Sequence, residues 1–276
     1  MQGEGRLLHV AHHAPASSNL HGDENGEQHV SSRYDALPVS ARLAWWGTAW
    51  LDGAIGPDEL LDAVLGADVA HVVVGDEPGL VPYLARQRSA GASAIAAVFP
   101  AAGDPVGLRG PRDLSTAAID AGEAVLLLGA GAGLVPGAVG RAVEWTPYSA
   151  HRRPPPDLGE ADRGLRSALL TAARDLAALD VGRWRPEIAD ELIDLRASER
   201  LHAPPGVPPR CVDLAGRALR MWQVVELASS DDGAAVSAGE MARRREALDP
   251  LDRAARLALT AAFSPDGWPP RYSSAR

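Results

Sequence analysis

The chain contains no lysine: each of its 27 basic side chains is an arginine. That absence removes whole mechanisms. A P-loop needs a lysine to reach the outer phosphates of a nucleotide. A Schiff-base or pyridoxal enzyme needs a lysine amine, and a Ser–Lys dyad needs one as base. Cysteine is nearly as scarce, with Cys211 alone in 276 residues. One thiol makes no internal disulfide, no CxxC redox pair and no multi-cysteine zinc site, and it fits a reducing compartment. No apolar run approaches the ~18 residues of a membrane span. The opening Met1-Gln2-Gly3-Glu4-Gly5-Arg6 lacks a charged segment followed by a sustained apolar one, so no secretory signal is expected. These absences favour a cytoplasmic protein with no membrane association.

What is present is ordinary for a globular chain. Hydrophobic residues at 46% and charged residues at 23% can build one large domain or two small ones. A formal net charge of −9 argues against general polyanion binding, because a phosphate backbone demands a basic surface.

Residues 1–36 hold His9, His12, His13, His21 and His29 among Ser, Asn, Gly and Glu, with no sustained period, and read as a disordered His-rich tail. Without fixed geometry its imidazoles make no defined metal site. From Pro38 the pattern is helical, with Leu43, Trp46 and Trp50 on one stripe and Trp45 beside it. Pro57-Asp58-Glu59 opens a second helix. Three short apolar runs follow, Val69–Val74, Ala92–Phe99 and Ala124–Leu128, separated by helical patterns at Pro78–Ala90 and after Asp113. Runs apolar on both faces and alternating with helices indicate parallel strands covered by helices. Gly129–Gly140 then reads as a glycine turn, and Ala142–Thr146 as an antiparallel edge strand.

After the stiff linker at 149–157 everything reads helical. Leu165, Leu169, Ala172, Leu176 and Leu179 form a narrow seam that serves internal packing or a protein partner. Val212, Ala215, Leu219, Trp222 and Val225 share a later face. Ser237 with Glu240 makes a capping box, and Asp249-Pro250 caps a last helix running to Phe263. The expected organisation is therefore an α/β domain over 37–148, a linker over 149–157, a helical domain over 158–264 and a disordered tail from 265. The expected fold class is α/β, a small mostly parallel sheet of three parallel strands plus an antiparallel edge strand, with a helical C-terminal half.

The arginine-only basic set, with abundant Ala, Gly and Pro, looks like the coding bias of a high-GC bacterium. The stretches Val39–Leu51 and Ala121–Gly131 resemble those of conserved actinobacterial proteins of unknown function. The likeness spans roughly residues 37 to 263 and implies no activity, no cofactor and no functional residue.

Open α/β sheets bind ligands outside the carboxyl ends of their strands. With three parallel strands, that edge would gather Asp76 and Glu77, the loop carrying Asp104, Arg109 and Arg112, and the stretch Gly129-Ala130-Gly131-Ala132-Gly133. Carboxylates, guanidinium groups and unshielded backbone N–H groups suit a small anionic or polar ligand, with Arg109 or Arg112 as its charge partner. Each piece also has a plain structural reading. Leu134 stands where GxGxxG needs its third glycine, so a plain glycine turn leading to an edge strand is favoured over a dinucleotide site. Asp76 and Glu77 equally fit as charges at a helix N-terminus, and Asp104, Arg109 and Arg112 as mutual surface salt bridges.

Catalytic sets are missing from the local sequence. His71, His151 and His202 are the histidines outside the tail, and no motif joins them to a serine or to Cys211. Glu187, Asp190, Glu191 and Asp194 read as an exposed acidic face, and Cys211 as a structural thiol. The tryptophans near residue 46 read as core. Arg243, Arg244 and Arg245, with Arg217, Arg220, Arg253 and Arg256 nearby, would read nucleic acid only if they shared one unpaired face. The expectation is a protein that binds a small ligand or a partner without catalysis. The alternatives are an enzyme acting on a small polar or anionic metabolite at the sheet edge, and a nucleic-acid-binding helical module.

Overall fold

The computed structural model describes residues 37–75, 79–151, 154, 156–178, 201–230 and 238–268. Helix α1 (Val39–Leu51) and helix α2 (Pro57–Leu65) lead into strand β1 (Ala70–Val73). Helix α3 (Leu80–Ser89), strand β2 (Ala94–Val98), helix α4 (Arg112–Ala121) and strands β3 (Ala124–Leu128), β4 (Ala132–Val139) and β5 (Ala142–Ser149) follow. Among the described residues of the C-terminal half are helices α5 (Leu158–Ala178), α6 (Pro209–Ser230) and α7 (Ala238–Ala262) and a 3-10 turn at Pro265–Gly267.

α1 is apolar almost all round and is accordingly buried almost all round, including Leu43, Trp45 and Trp46. α2 starts with Pro57 at its first position and Asp58 and Glu59 in its first turn. The sheet has the order β1-β5-β4-β3-β2. On one face Ile95, Ala97, Val125, Leu127, Leu134 and Trp145 join a core shared with α1, α6 and α7. On the other face Val98, Ala124, Leu126 and Val135 pack with Leu114 and Ala118 of α4. Phe99 lies between the two halves of the chain, its ring 5.9 Å from Trp222 and 6.3 Å from Phe263. The tryptophans of α1 are core as expected, Trp45 lying 4.3 Å from Phe263.

The mostly parallel sheet is corrected. β1 pairs with β5 in parallel, but β2–β3, β3–β4 and β4–β5 are all antiparallel. β1, β3 and β5 run one way and β2 and β4 the other. The physical reason lies in the connection after β2. Its loop is bridged at Ala101–Asp104 near the end of β2, yet Arg109 O accepts from His151 N–H, 3.2 Å away, beyond the end of β5. The loop climbs the full height of the sheet, so the return along α4 sets β3 antiparallel to β2. Burial on both faces, which suggested parallel strands, comes instead from α1 and α4 covering opposite sides.

Two further readings change. The glycine stretch contains β4, and β5 is an interior strand between β1 and β4. β4 tolerates its proline because its pairing with β3 stops at Leu134, before Pro136. The last helix does not begin at Pro250: α7 runs continuously through it.

β2 stands at the edge of the sheet, yet its outer backbone groups are bonded. Ile95 N–H donates to Thr48 Oγ1 (2.9 Å), whose hydroxyl donates back to Ile95 O (3.1 Å). Ala97 N–H donates to Phe263 O (2.9 Å) and Phe99 N–H to Thr260 Oγ1 (3.3 Å). An edge strand covered in this way offers no free ladder to another chain.

Candidate functional site

Because β3 and β5 end where β2 and β4 begin, one rim of the sheet collects four strand termini. A cleft of about 730 Å³ opens there. Its floor is the β3–β4 connection, Leu128 to Ala132, with Ser93 and Ala94 at the start of β2 and Ala150 and His151 beyond β5. Its walls are Thr48 and Asp52 at the end of α1, Pro208, and Pro265, Asp266 and Trp268 around the 3-10 turn.

The floor is held by its own backbone. Leu128 O accepts from Ser93 N–H (2.9 Å) and from the Ser93 hydroxyl (3.3 Å). Gly131 O accepts from Ala150 N–H (2.8 Å). Gly129 and Gly131 sit at φ 96° and 67°, the region glycine enters at no steric cost. A Cβ on Gly129 would also lie 2.3 Å from Gly91 O, so two backbones meet closely at this point. One wall is fixed by tryptophans: the indole N–H groups of Trp268 and Trp45 both donate to Ala262 O, at 3.1 and 3.2 Å.

The residues expected to form the site divide between places. Gly129 and Gly131 line the cleft. Gly133 does not; it is buried in β4 opposite Leu126, where a Cβ would meet Val125 O at 3.1 Å. Arg109 is exposed and reaches the rim through its carbonyl, while Arg112 is exposed at the first turn of α4. Asp104 lies at the opposite end of the sheet. Its carboxylate accepts from buried Arg256 of α7 (3.0 Å) and pairs with Arg253 (3.2 Å). Arg256 also donates to Asp252 (2.8 Å) and to Phe99 O (3.2 Å), so this set clamps α7 to the end of β2. Asp76 and Glu77 lie outside the described residues, as do the acidic group Glu187–Asp194 and the tail histidines.

Ser93, His151, Asp52, Asp266 and Trp268 were not anticipated as site residues. The cleft carries two carboxylates, an imidazole, two hydroxyls and an indole, and no arginine among the described residues lines it. It therefore resembles a site for hydrogen-bond donors more than one for an anion. No helix follows Gly131, so a dinucleotide phosphate would find no helix N-terminus there.

Several ionisable groups elsewhere serve the fold. Cys211 is fully buried, and burial pushes its thiol up to about 12, with Arg210 opposing. A thiol of that kind is no ready nucleophile. Arg217 donates to Asp162 (2.6 Å), which also pairs with Arg166. Arg253 and Arg256 are paired as well. Among the described residues no group of His, Cys, Asp and Glu converges to hold a metal ion, and no helix is long and apolar enough to cross a membrane.

Comparison with known proteins gives a family rather than an activity. The family described as "Rv1486c-like protein, N-terminal domain" matches residues 40–158, and "Rv1486c-like protein, C-terminal domain" matches residues 159–260. The uncharacterized proteins Rv1486c and MT1533, from two strains of Mycobacterium tuberculosis, are each 30% identical over 291 residues, covering 83% of this chain and 98% of the relative. The uncharacterized protein MAV321 of Mycobacterium avium is 30% identical over 220 residues, 62% of this chain and 72% of the relative. No solved structure matches the chain. The two family matches span the α/β half and the helical half in turn, and the chain belongs to the actinobacterial Rv1486c-like family.

Proposed function

We propose that this chain is a cytoplasmic small-ligand-binding protein whose site is the rim cleft, and that it performs no chemistry on what it binds. The supporting observation is a cleft of about 730 Å³ where strand ends, the end of α1 and the 3-10 turn converge. Sites of this size are typically concave and mostly apolar, with a few polar groups that fix orientation. Here Leu126, Leu127 and Trp268 supply apolar wall, and Ser93, His151, Asp52 and Asp266 supply polar groups. A small polar ligand rich in hydrogen-bond donors matches that lining. The lone thiol fits a reducing compartment.

A melting-temperature screen tests the reading, with amino acids, polyols, nucleosides, amines and dicarboxylates as probes. A compound present at 100 times its Kd stabilises by about 2.7 kcal/mol, or roughly 5–11 °C for a domain of this size. Ser93→Trp places an indole in the cleft from an exposed position and is expected to abolish the shift. A shift that survives Ser93→Trp puts the ligand elsewhere, and a silent screen removes the proposal.

A further inference from the structure

Trp145 is fully buried in β5, and a buried indole N–H needs an acceptor. It donates to Nδ1 of His71 in β1, 3.2 Å away. The other ring nitrogen, Nε2, faces Asp68 Oδ2 at 3.2 Å. That same carboxylate oxygen accepts from Arg42 Nη2 at 2.8 Å, and Arg42 Nη1 donates to Leu65 O at 3.1 Å. An indole nitrogen only donates, so His71 Nδ1 must carry a lone pair and the proton must sit on Nε2, toward Asp68. A second proton would set N–H against N–H around a side chain that is 1% exposed. The arrangement admits one tautomer, and it is neutral.

We propose that His71 is a proton-triggered latch holding the edge strand β1, with α3 packed on it, against the sheet. β1 has four residues and, among the described residues, pairs with β5 alone. The imidazole–indole bond is a side-chain tie across that pairing, placed between His71↔Val143 and Val73↔Trp145 in the register. The groups facing the ring act in opposite senses. Asp68, from the α2–β1 connection, favours a charged ring, and Arg42, from α1, opposes it. Glu123, at the foot of β3, accepts from Ser40 N–H (2.9 Å) and acts on Arg42 and Asp68 rather than on the ring. Burial is the largest influence and lowers the His71 pKa from its ordinary value.

The sign follows from proton counting. A released His71 takes up its proton near the ordinary value of about 6.5, and the latched ring does so only at lower pH. Between those values the open form holds one more proton, so the opening equilibrium grows about tenfold per pH unit as pH falls. Above about 6.5 it is flat.

Two measurements on the full chain test this. Ring 15N NMR of the native protein should show the Nε2–H tautomer at pH 7.5 and titration below the ordinary histidine range. Trp145→Phe, which removes the donor, should move that titration upward. Amide hydrogen exchange, corrected for intrinsic rates, should show protection at Val69 and Val74 falling about tenfold per unit below pH 6.5, with β3 and β4 unchanged. His71→Asn keeps an acceptor for the indole and cannot titrate in this range, so its β1 protection should stay flat. A native ring that titrates at or above about 6.5, or β1 protection that does not depend on pH, overturns the proposal.

Discussion

Thr48→Val tests how the sheet ends at β2. Valine keeps the shape of threonine and loses only the hydroxyl, which both accepts from Ile95 N–H (2.9 Å) and donates to Ile95 O (3.1 Å). Thr48 is 4% exposed and Ile95 fully buried, so both backbone groups would be stranded away from bulk water. Each buried unpaired group costs about 1–3 kcal/mol, and burying a methyl in place of a hydroxyl offsets part of this. The expected loss is about 2–5 kcal/mol. Thr48→Ser keeps the hydroxyl and drops one methyl, worth about 1 kcal/mol. At about 2–4 °C per kcal/mol for a domain of this size, the valine variant should melt roughly 4–20 °C lower and the serine variant within about 4 °C of native. Urea unfolding followed by tryptophan fluorescence should agree, with the midpoint lowered and the slope unchanged. Valine and serine variants of equal stability would refute the reasoning, because apolar packing alone would then seal the edge.

Arg256→Met removes the partner of Asp252 and Phe99 O and leaves Asp104 paired with Arg253 alone, and should cost about 3–5 kcal/mol in urea unfolding; a cost under about 1 kcal/mol would show the clamp to be idle. Gly129→Ala meets Gly91 O at 2.3 Å and should destabilise by several times more than Gly53→Ala, which has a positive φ but open space, as thermal melts of the pair will show. Cys211, with its thiol pushed up to about 12 by burial, should react with iodoacetamide at pH 8 about three orders of magnitude more slowly than a free thiol, until urea unfolds the chain. For Glu123, burial raises the folded carboxyl above its ordinary value, so the stability it contributes is present in acid and fades as pH rises through the folded value. Glu123→Gln keeps an acceptor for Ser40 N–H and should therefore equal or exceed native stability at pH 7, with no gain at pH 4; a loss at pH 7 would reverse the sign.

The strands themselves were legible: Val69–Val74, Ala92–Phe99 and Ala124–Leu128 contain or match β1, β2 and β3. Their directions were not. An antiparallel strand covered on both faces has the same apolar pattern as a parallel one, and the deciding fact is how far the loop from Ala101 to Pro111 travels. β4 hid behind Gly133, Pro136 and Gly137, which read as turn residues. A Cβ at Gly133 would crowd Val125 O at 3.1 Å, and Pro136 stands beyond the end of the β3 ladder. Of the site, the glycines at 129 and 131 could be read because positive-φ turns have a residue signature. Asp52, Ser93, Asp266 and Trp268 lack one. They come from remote parts of the chain, and only the packing of α1 and the 3-10 turn on the start of β2 brings them to the cleft.

The two edges of the sheet are held by unlike chemistry, and that difference orders their stability. β2 is covered by Thr48 from α1 and by Thr260 and Phe263 from the end of α7, and these contacts engage its outer N–H groups at Ile95, Ala97 and Phe99. To free β2, residues from both halves of the chain must separate, which amounts to global unfolding. β1 has four residues, one neighbour among the described strands, and Val72 and Val74 each more than two-fifths exposed. Its opening sacrifices a short ladder and the His71–Trp145 tie while the core of β2, β3 and α1 stays intact. Amides of β2 should therefore exchange at the rate of global unfolding, with the same dependence on urea as the whole chain. Those of Val69 and Val74 should exchange through a smaller opening with a shallower urea dependence, even at pH 7.5. Equal urea dependence at both edges would mean that β1 and β2 leave the sheet together, and the asymmetry argued from their bonding would be lost.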